Sequence, residues 1–316
     1  MSQAQNRQAL TDFNLKELRT NIERRQLISG AFAILGLIII LVATFILLGL
    51  IFQMMTQGIP RLTPQFFLSF PSRNPEEAGI LSAWVGSALV MLVTAIAAIP
   101  LGVASGIYLE EYARKGWLAD LIEINVTNLA GVPSIVYGLL ALGLFVGKLN
   151  LGQSVLSAGL TLALLILPVV IVTTREALRA IPNILREAAY ALGASKWQMI
   201  SDHILPYSVG SILTGIIIGL SRAIGETAPV ITIGALTFIA FLPDSPFKGD
   251  FPFISFEWLK APFTVMPIQM FNWVSRPEPE FEINAAAAGT VLIFMTLSMN
   301  AIAIYLRYYF RKGIKW

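Results

Sequence analysis

Six stretches of this chain are long and apolar enough to cross a lipid bilayer, and nothing constrains its fold more. Five carry no charge at all: residues 27–54, 78–109, 124–147, 149–174 and 283–306. The sixth runs from about Tyr207 to Phe241 and is interrupted only by Arg222 and Glu226. Each exceeds the roughly 20 residues that span a hydrocarbon core. The expected fold class is all-α: a polytopic membrane protein with six transmembrane helices.

Composition agrees. Of 316 residues, 56% are hydrophobic and only 13% charged, against roughly 25% charged in a soluble domain. The pI of about 9.2 therefore reflects basic loops that set topology, not nucleic-acid binding, and lipid is the expected surrounding. Fifteen Lys and Arg residues lie in the N-terminal segment, after the second and fourth spans and at the C-terminus. Six lie on the other side. That bias places both termini in the cytoplasm. The first apolar run is too long for the core of a cleaved signal peptide, so none is expected. There is no cysteine and one histidine, His203, so no metal site is expected. No Walker A, GxSxG or HExxH sequence occurs. No catalytic residue and no cofactor on this chain is expected; an ATPase, if one exists, must be a separate chain that binds the ATP and Mg.

The expected organisation is a cytoplasmic arm (1–26), a membrane domain (27–310) and a short cytoplasmic tail (311–316). The domain carries a cytoplasmic loop at about 175–206 and an external one at about 242–282. The external loop is rich in aromatics: Phe247, Phe251, Phe253, Phe256, Trp258, Phe263, Phe271 and Trp273. They suit the membrane–water interface, or a surface on which an external protein docks.

The sixth stretch carries the unusual charges. As one helix, residues 207–241 would be about 52 Å long, against a hydrocarbon core of about 30 Å. Pro229 is the expected break, since its ring displaces the carbonyl of Gly225. Gly215, Gly219, Arg222 and Glu226 are spaced 4, 3 and 4, which puts them on one helical face. The Gly215–Gly219 pair marks close helix packing, so the charges are expected on the packed stripe. Two readings stand. One is a structural ion pair, i to i+4. The other is a place on a translocation path, where the planar Arg222 guanidinium holds an oxyanion and Thr227 and freed backbone add polar contacts.

The cytoplasmic loop reads REAAYALGASKWQMISDHILP, Arg186 to Pro206. Glu187, Ala188 and Ala189 are followed at fixed spacing by Gly193 and by Leu205–Pro206. Glu187 is expected near a helix start, where a carboxylate suits the dipole. Ala188 and Ala189 are small enough to enter a partner's groove, and Gly193 permits a tight turn. The result is a knob that pushes on another protein, or a plain interfacial helix. The spacing resembles the EAA loop of bacterial ABC importer permeases, with His203 where an isoleucine is usual.

RAIGETAP (Arg222 to Pro229), LAGVPSIVYGLL (Leu129 to Leu140) and MPIQMFNWVSRP (Met266 to Pro277) resemble the phosphate ABC importer permeases, PstA type rather than PstC type. The resemblance covers residue 27 to the end. It implies the type I ABC importer, or MetI-like, transmembrane fold, paired with a second permease of PstC type. It also implies an ATP-binding dimer of PstB type and an external phosphate-binding protein of PstS type. Its function would be to form half of a phosphate path, coupled to the ATPase through Glu187, Ala188, Ala189 and Gly193. A permease for sulfate or molybdate, or the paired PstC-type subunit, is the alternative within that class. A membrane enzyme would need a nucleophile–base or metal constellation, and a lone channel or carrier has no use for a coupling knob.

Overall fold

The computed structural model describes residues 2–114, 116–245 and 255–311, and of residues 2–20, 23, 310 and 311 only the backbone. Among these the regular structure is helical, without a strand. The helices in order are α1 (Ser2–Gly58), α2 (Pro64–Leu68), α3 (Leu81–Ile107), α4 (Trp117–Leu129), α5 (Ser134–Ala141) and α6 (Val155–Arg179). Then come α7 (Asn183–Ala191), α8 (Lys196–Gln198), α9 (Leu205–Gly225), α10 (Ala228–Ile233), α11 (Met266–Val274) and α12 (Glu280–Arg311). The chain divides into two units, residues 1–56 and 57–316. The first is one helix, with exposed Leu27, Phe32, Phe45 and Phe52 around its apolar length. A helix apolar on all sides suits lipid.

Among the described residues, five helices are long and apolar enough to cross a membrane, or six if α4 and α5 count as one bent span. The expected span at 124–147 is a bent pair of helices rather than a single one. The chain bends by 105° between α4 and α5. Pro133 explains the break: it lacks an N–H and biases Val132 away from helical backbone.

The second unit is built around α3, α6 and α9. Glycines let these helices approach closely. A Cβ at Gly102 would lie 2.6 Å from Val170 Cγ1, and one at Gly106 would lie 2.6 Å from Thr174 Cβ. Gly159 meets Val93 in the same way. The matched pairs 93–159, 102–170 and 106–174 rise together, so α3 and α6 run parallel. Gly215 of α9 meets Thr173, and Gly219 meets Ile166 and Val170, so α9 runs antiparallel to α6. Ser221 donates to Asn300 Oδ1 at 2.6 Å and Arg307 donates to Thr214 at 2.9 Å, so α12 is antiparallel to α9. Parallel α3 and α6 require α4 and α5 to carry the chain from one end of the bundle back to the other.

At the end where α3 begins, Arg61 donates to Asn284 Oδ1 (2.8 Å) and to the carbonyls of Pro75 and Ala78. The aromatics of the loop 242–282 divide. Trp258, Phe263 and Trp273 are buried, while Phe256 and Phe271 are exposed. Trp273 packs between Phe66 and Phe281, its ring centre 6.0 and 6.4 Å from theirs. These three are core residues, not interface anchors, because α11 folds back between α3 and α12. Phe247, Phe251 and Phe253 lie outside the described residues.

Candidate functional site

The charged pair sits where α9 stops. Gly225 is its last residue, and Glu226 takes extended backbone (φ −75°, ψ 124°). Thr227 then precedes α10, with Pro229 in its first turn. A second interruption follows at Gly234, whose φ of 101° suits glycine. The long apolar run is thus a 21-residue helix of about 32 Å, a break and a short helix. α9 alone matches the hydrocarbon thickness.

The two broken runs meet. Gly138 of α5 packs directly on Pro229 and Thr232 of α10, and Phe145 and Ala141 pack with Ile233. The Tyr137 hydroxyl donates to Leu129 O at 2.8 Å and so closes the end of α4 across its bend. The Arg222 charge lies within electrostatic reach of that phenol. Irregular backbone at membrane depth is tolerated where it faces protein or a wet cavity. Tyr137 and the bend escaped the hydropathy reading, although Gly131–Val132–Pro133 is the local signal for it.

Gly215 and Gly219 are buried, as expected. Arg222 is not: its side chain is 42% exposed and that of Glu226 18%. Arg222 therefore lies off the packed stripe, although Ala223 and Ile224 beside it are buried up to the end of the helix, and the expectation that both charges lie on it is corrected. Arg222 Nε lies 3.3 Å from Glu226 Oε1, a long bond. Guanidinium offers five N–H donors, and this contact uses Nε alone. Among the described residues both terminal nitrogens, the fork that matches an oxyanion, have no partner. Glu226 also lines a small apolar cavity with Ser87, Met91, Leu162 and Val265. Thr227 is half-buried at the same break.

The second group lies at the other end of α9, about 30 Å away by its length. α7 starts at Asn183 after Pro182 and ends at Ala191. Glu187 is its fifth residue, so the expected helix-start position is corrected: Pro182 and Asn183 open the helix a full turn earlier. Gly193 has φ 83°. Its N–H donates to Tyr190 O and that of Ala194 to Ala189 O. This paired closure ends a helix on a left-handed residue. Ser195 and Gln198 then cap the next turn reciprocally, as a capping box does.

Ile184, Glu187, Ala188 and Leu192 form one outward face, with Ile184 70% and Leu192 88% exposed. Ala189 is buried and packs with Leu178, Ile181, Met199, Ile200 and Ile204. Of the two alanines expected to enter a partner's groove, only Ala188 is available to do so. His203 is exposed. Its place in the apolar cluster is filled by Ile200 and Ile204, so the departure from the usual isoleucine leaves the packing whole.

Residues 98–316 match the family described as the binding-protein-dependent transport system inner membrane component. The chain is 36% identical over 272 residues to the phosphate transport system permease protein PstA of Yersinia pestis, spanning 85% of this chain and 86% of that one. It is 32% identical over 278 residues to PstA of Haemophilus influenzae, spanning 88% and 92%. Among solved structures it is similar to the MetNI methionine ABC transporter in inward-facing conformations. The TM-score is 0.56 at 15% identity, over 73% of this chain and 95% of that one, a likeness of fold. The chain therefore belongs to the binding-protein-dependent transport system inner membrane components, as a multi-pass permease of the PstA type with a MetI-like fold.

Proposed function

We propose that this chain is a permease subunit of an ATP-driven phosphate importer and forms half of the translocation path. The relatives named for phosphate transport support the substrate. The observation that carries the role is Arg222, whose two terminal nitrogens have no partner among the described residues and stand beside broken backbone, while Glu226 holds Nε. A planar fork of this kind takes two oxygens of an oxyanion. A second permease of PstC type completes the path, and a PstS-type protein delivers phosphate from outside. A PstB-type dimer binds and hydrolyses ATP with Mg, and pushes on the face of Ile184, Glu187, Ala188 and Leu192. No cofactor belongs to this chain, and both termini lie in the cytoplasm of the inner membrane.

Phosphate uptake by the reconstituted complex tests the role of Arg222. Arg222→Gln is expected to keep assembly and lose uptake by about a hundredfold, the range of one charged hydrogen-bonding contact. Arg222→Lys, a charge without the fork, should recover part of it. Normal uptake by an assembled Arg222→Gln complex would refute the assignment.

A further inference from the structure

The knob proposed to meet the ATPase is joined to α6 by three residues only, Ala180 to Pro182. A push on α7 could be lost in that joint. Arg186, one residue before the knob's glutamate, closes it. Its Nε and Nη2 donate to Glu111 Oε1 at 3.1 and 2.7 Å. Nη2 also reaches Leu178 O at 2.9 Å. Nη1 reaches Ile181 O at 2.8 Å and Asn183 Oδ1 at 3.3 Å. All five N–H groups of the guanidinium are thereby used. Leu178 belongs to the last turn of α6 and Ile181 to the joint itself. Glu111 stands in the wide turn Tyr108–Tyr112 that ends α3. The two side chains are only 15% and 7% exposed.

One side chain of α7 thus holds the ends of α6 and α3 together. Those helices are already locked by the Gly102 and Gly106 contacts. Beside them, Arg175 pairs with Glu123 of α4 at 2.9 Å, and Arg179 with Glu110 at 3.1 Å. The acids come from the α3–α4 side and the arginines from the α6–α7 side. α4 leads into the bend whose α5 arm packs on α10, next to Arg222.

We infer that Arg186 and Glu111 are positioning residues that make the coupling helix move as one body with α3 and α6, so that force applied to the knob reaches the helices of the path. Neither residue lies on the outward knob face. The inference rests on the coupling role of α7, and its test separates the two.

The experiment measures uptake and ATP hydrolysis together in the full complex. Arg186→Gln and Glu111→Gln should each retain the ATPase and lower the phosphate moved per ATP hydrolysed by about tenfold. The double variant should lose no more than the worse single one, because both remove one joint. Arg186→Lys keeps a cation by Glu111 but cannot span the carbonyls, and should lie between. Amide exchange across residues 183–193 of the full chain, with no partner present, should quicken in Arg186→Gln. If Glu111→Gln does not insert, Arg186→Lys decides by the same ratio. Wild-type transport per ATP, additive losses or unchanged exchange would overturn the inference. An ATPase that stays bound and coupled in Glu187→Lys would instead sink the coupling role, whatever the exchange shows.

Discussion

Glu226 sets a negative charge beside the group proposed to receive an anion, and its geometry suggests why that is useful. We propose that, by occupying Nε, it holds the Arg222 side chain extended and tempers the cation, so that an anion is not held too tightly to leave. The carboxylate adds a second effect, because when ionised it only accepts hydrogen bonds. Phosphate near neutral pH still carries a proton to donate, whereas sulfate carries none. A repulsive element of this kind confers specificity without adding affinity. The measurement needs a complex variant that works without the external binding protein, which would otherwise select the substrate first. In such a complex Glu226→Gln should narrow the preference for phosphate over sulfate by about tenfold, the scale of one hydrogen bond to a charged group. An unchanged ratio in an assembled complex leaves Glu226 as the partner of Arg222 alone.

Helices were far more legible in the sequence than their breaks. Hydropathy reports length and apolarity, so all six runs stand out, but it is blind to direction. Residues 124–147 read as one span although Pro133 turns the chain through 105°. Pro229 was readable because the run containing it was too long for a bilayer. The charged network around Arg186 and Glu111 joins residues 75 apart, a distance over which no periodicity carries information. Which residues of α9 are covered depends on the helices packed around it, which is equally non-local. At α7 the sequence pattern located the knob but not its orientation, since the helix starts at Asn183 and turns Ala189 inward. That orientation gives two separable outcomes. Gly193→Ala forces a Cβ into left-handed backbone at a cost of about 1–2 kcal/mol. It should weaken ATPase association by loosening the closure of α7, with the chain still inserted. Glu187→Lys changes only the outward face and should impair association with no loss of thermal stability. Wild-type association in both variants would remove α7 from the contact.

The whole molecule turns on parity. Parallel α3 and α6 fix that the intervening chain returns from one end of the bundle to the other, although it does so through a right-angled pair. If that pair were re-entrant, dipping in and leaving by the same face, α3 and α6 would have to run in opposite directions. Their contacts at 93–159, 102–170 and 106–174 exclude this. The ion pairs between Glu110 and both Arg175 and Arg179 place the ends of α3 and α6 side by side, in agreement. α4 and α5 then make one net crossing between the parallel α3 and α6. We propose that both termini lie in the cytoplasm, the side favoured by the bias of basic residues. The chain has no cysteine, so a single introduced thiol reports its own location. Ser2→Cys and Ile314→Cys should both resist a membrane-impermeant maleimide in intact cells and react after permeabilisation. Asn150→Cys, at the return between α5 and α6, should react in intact cells. Labelling of one terminus but not the other would refute the shared cytoplasmic placement.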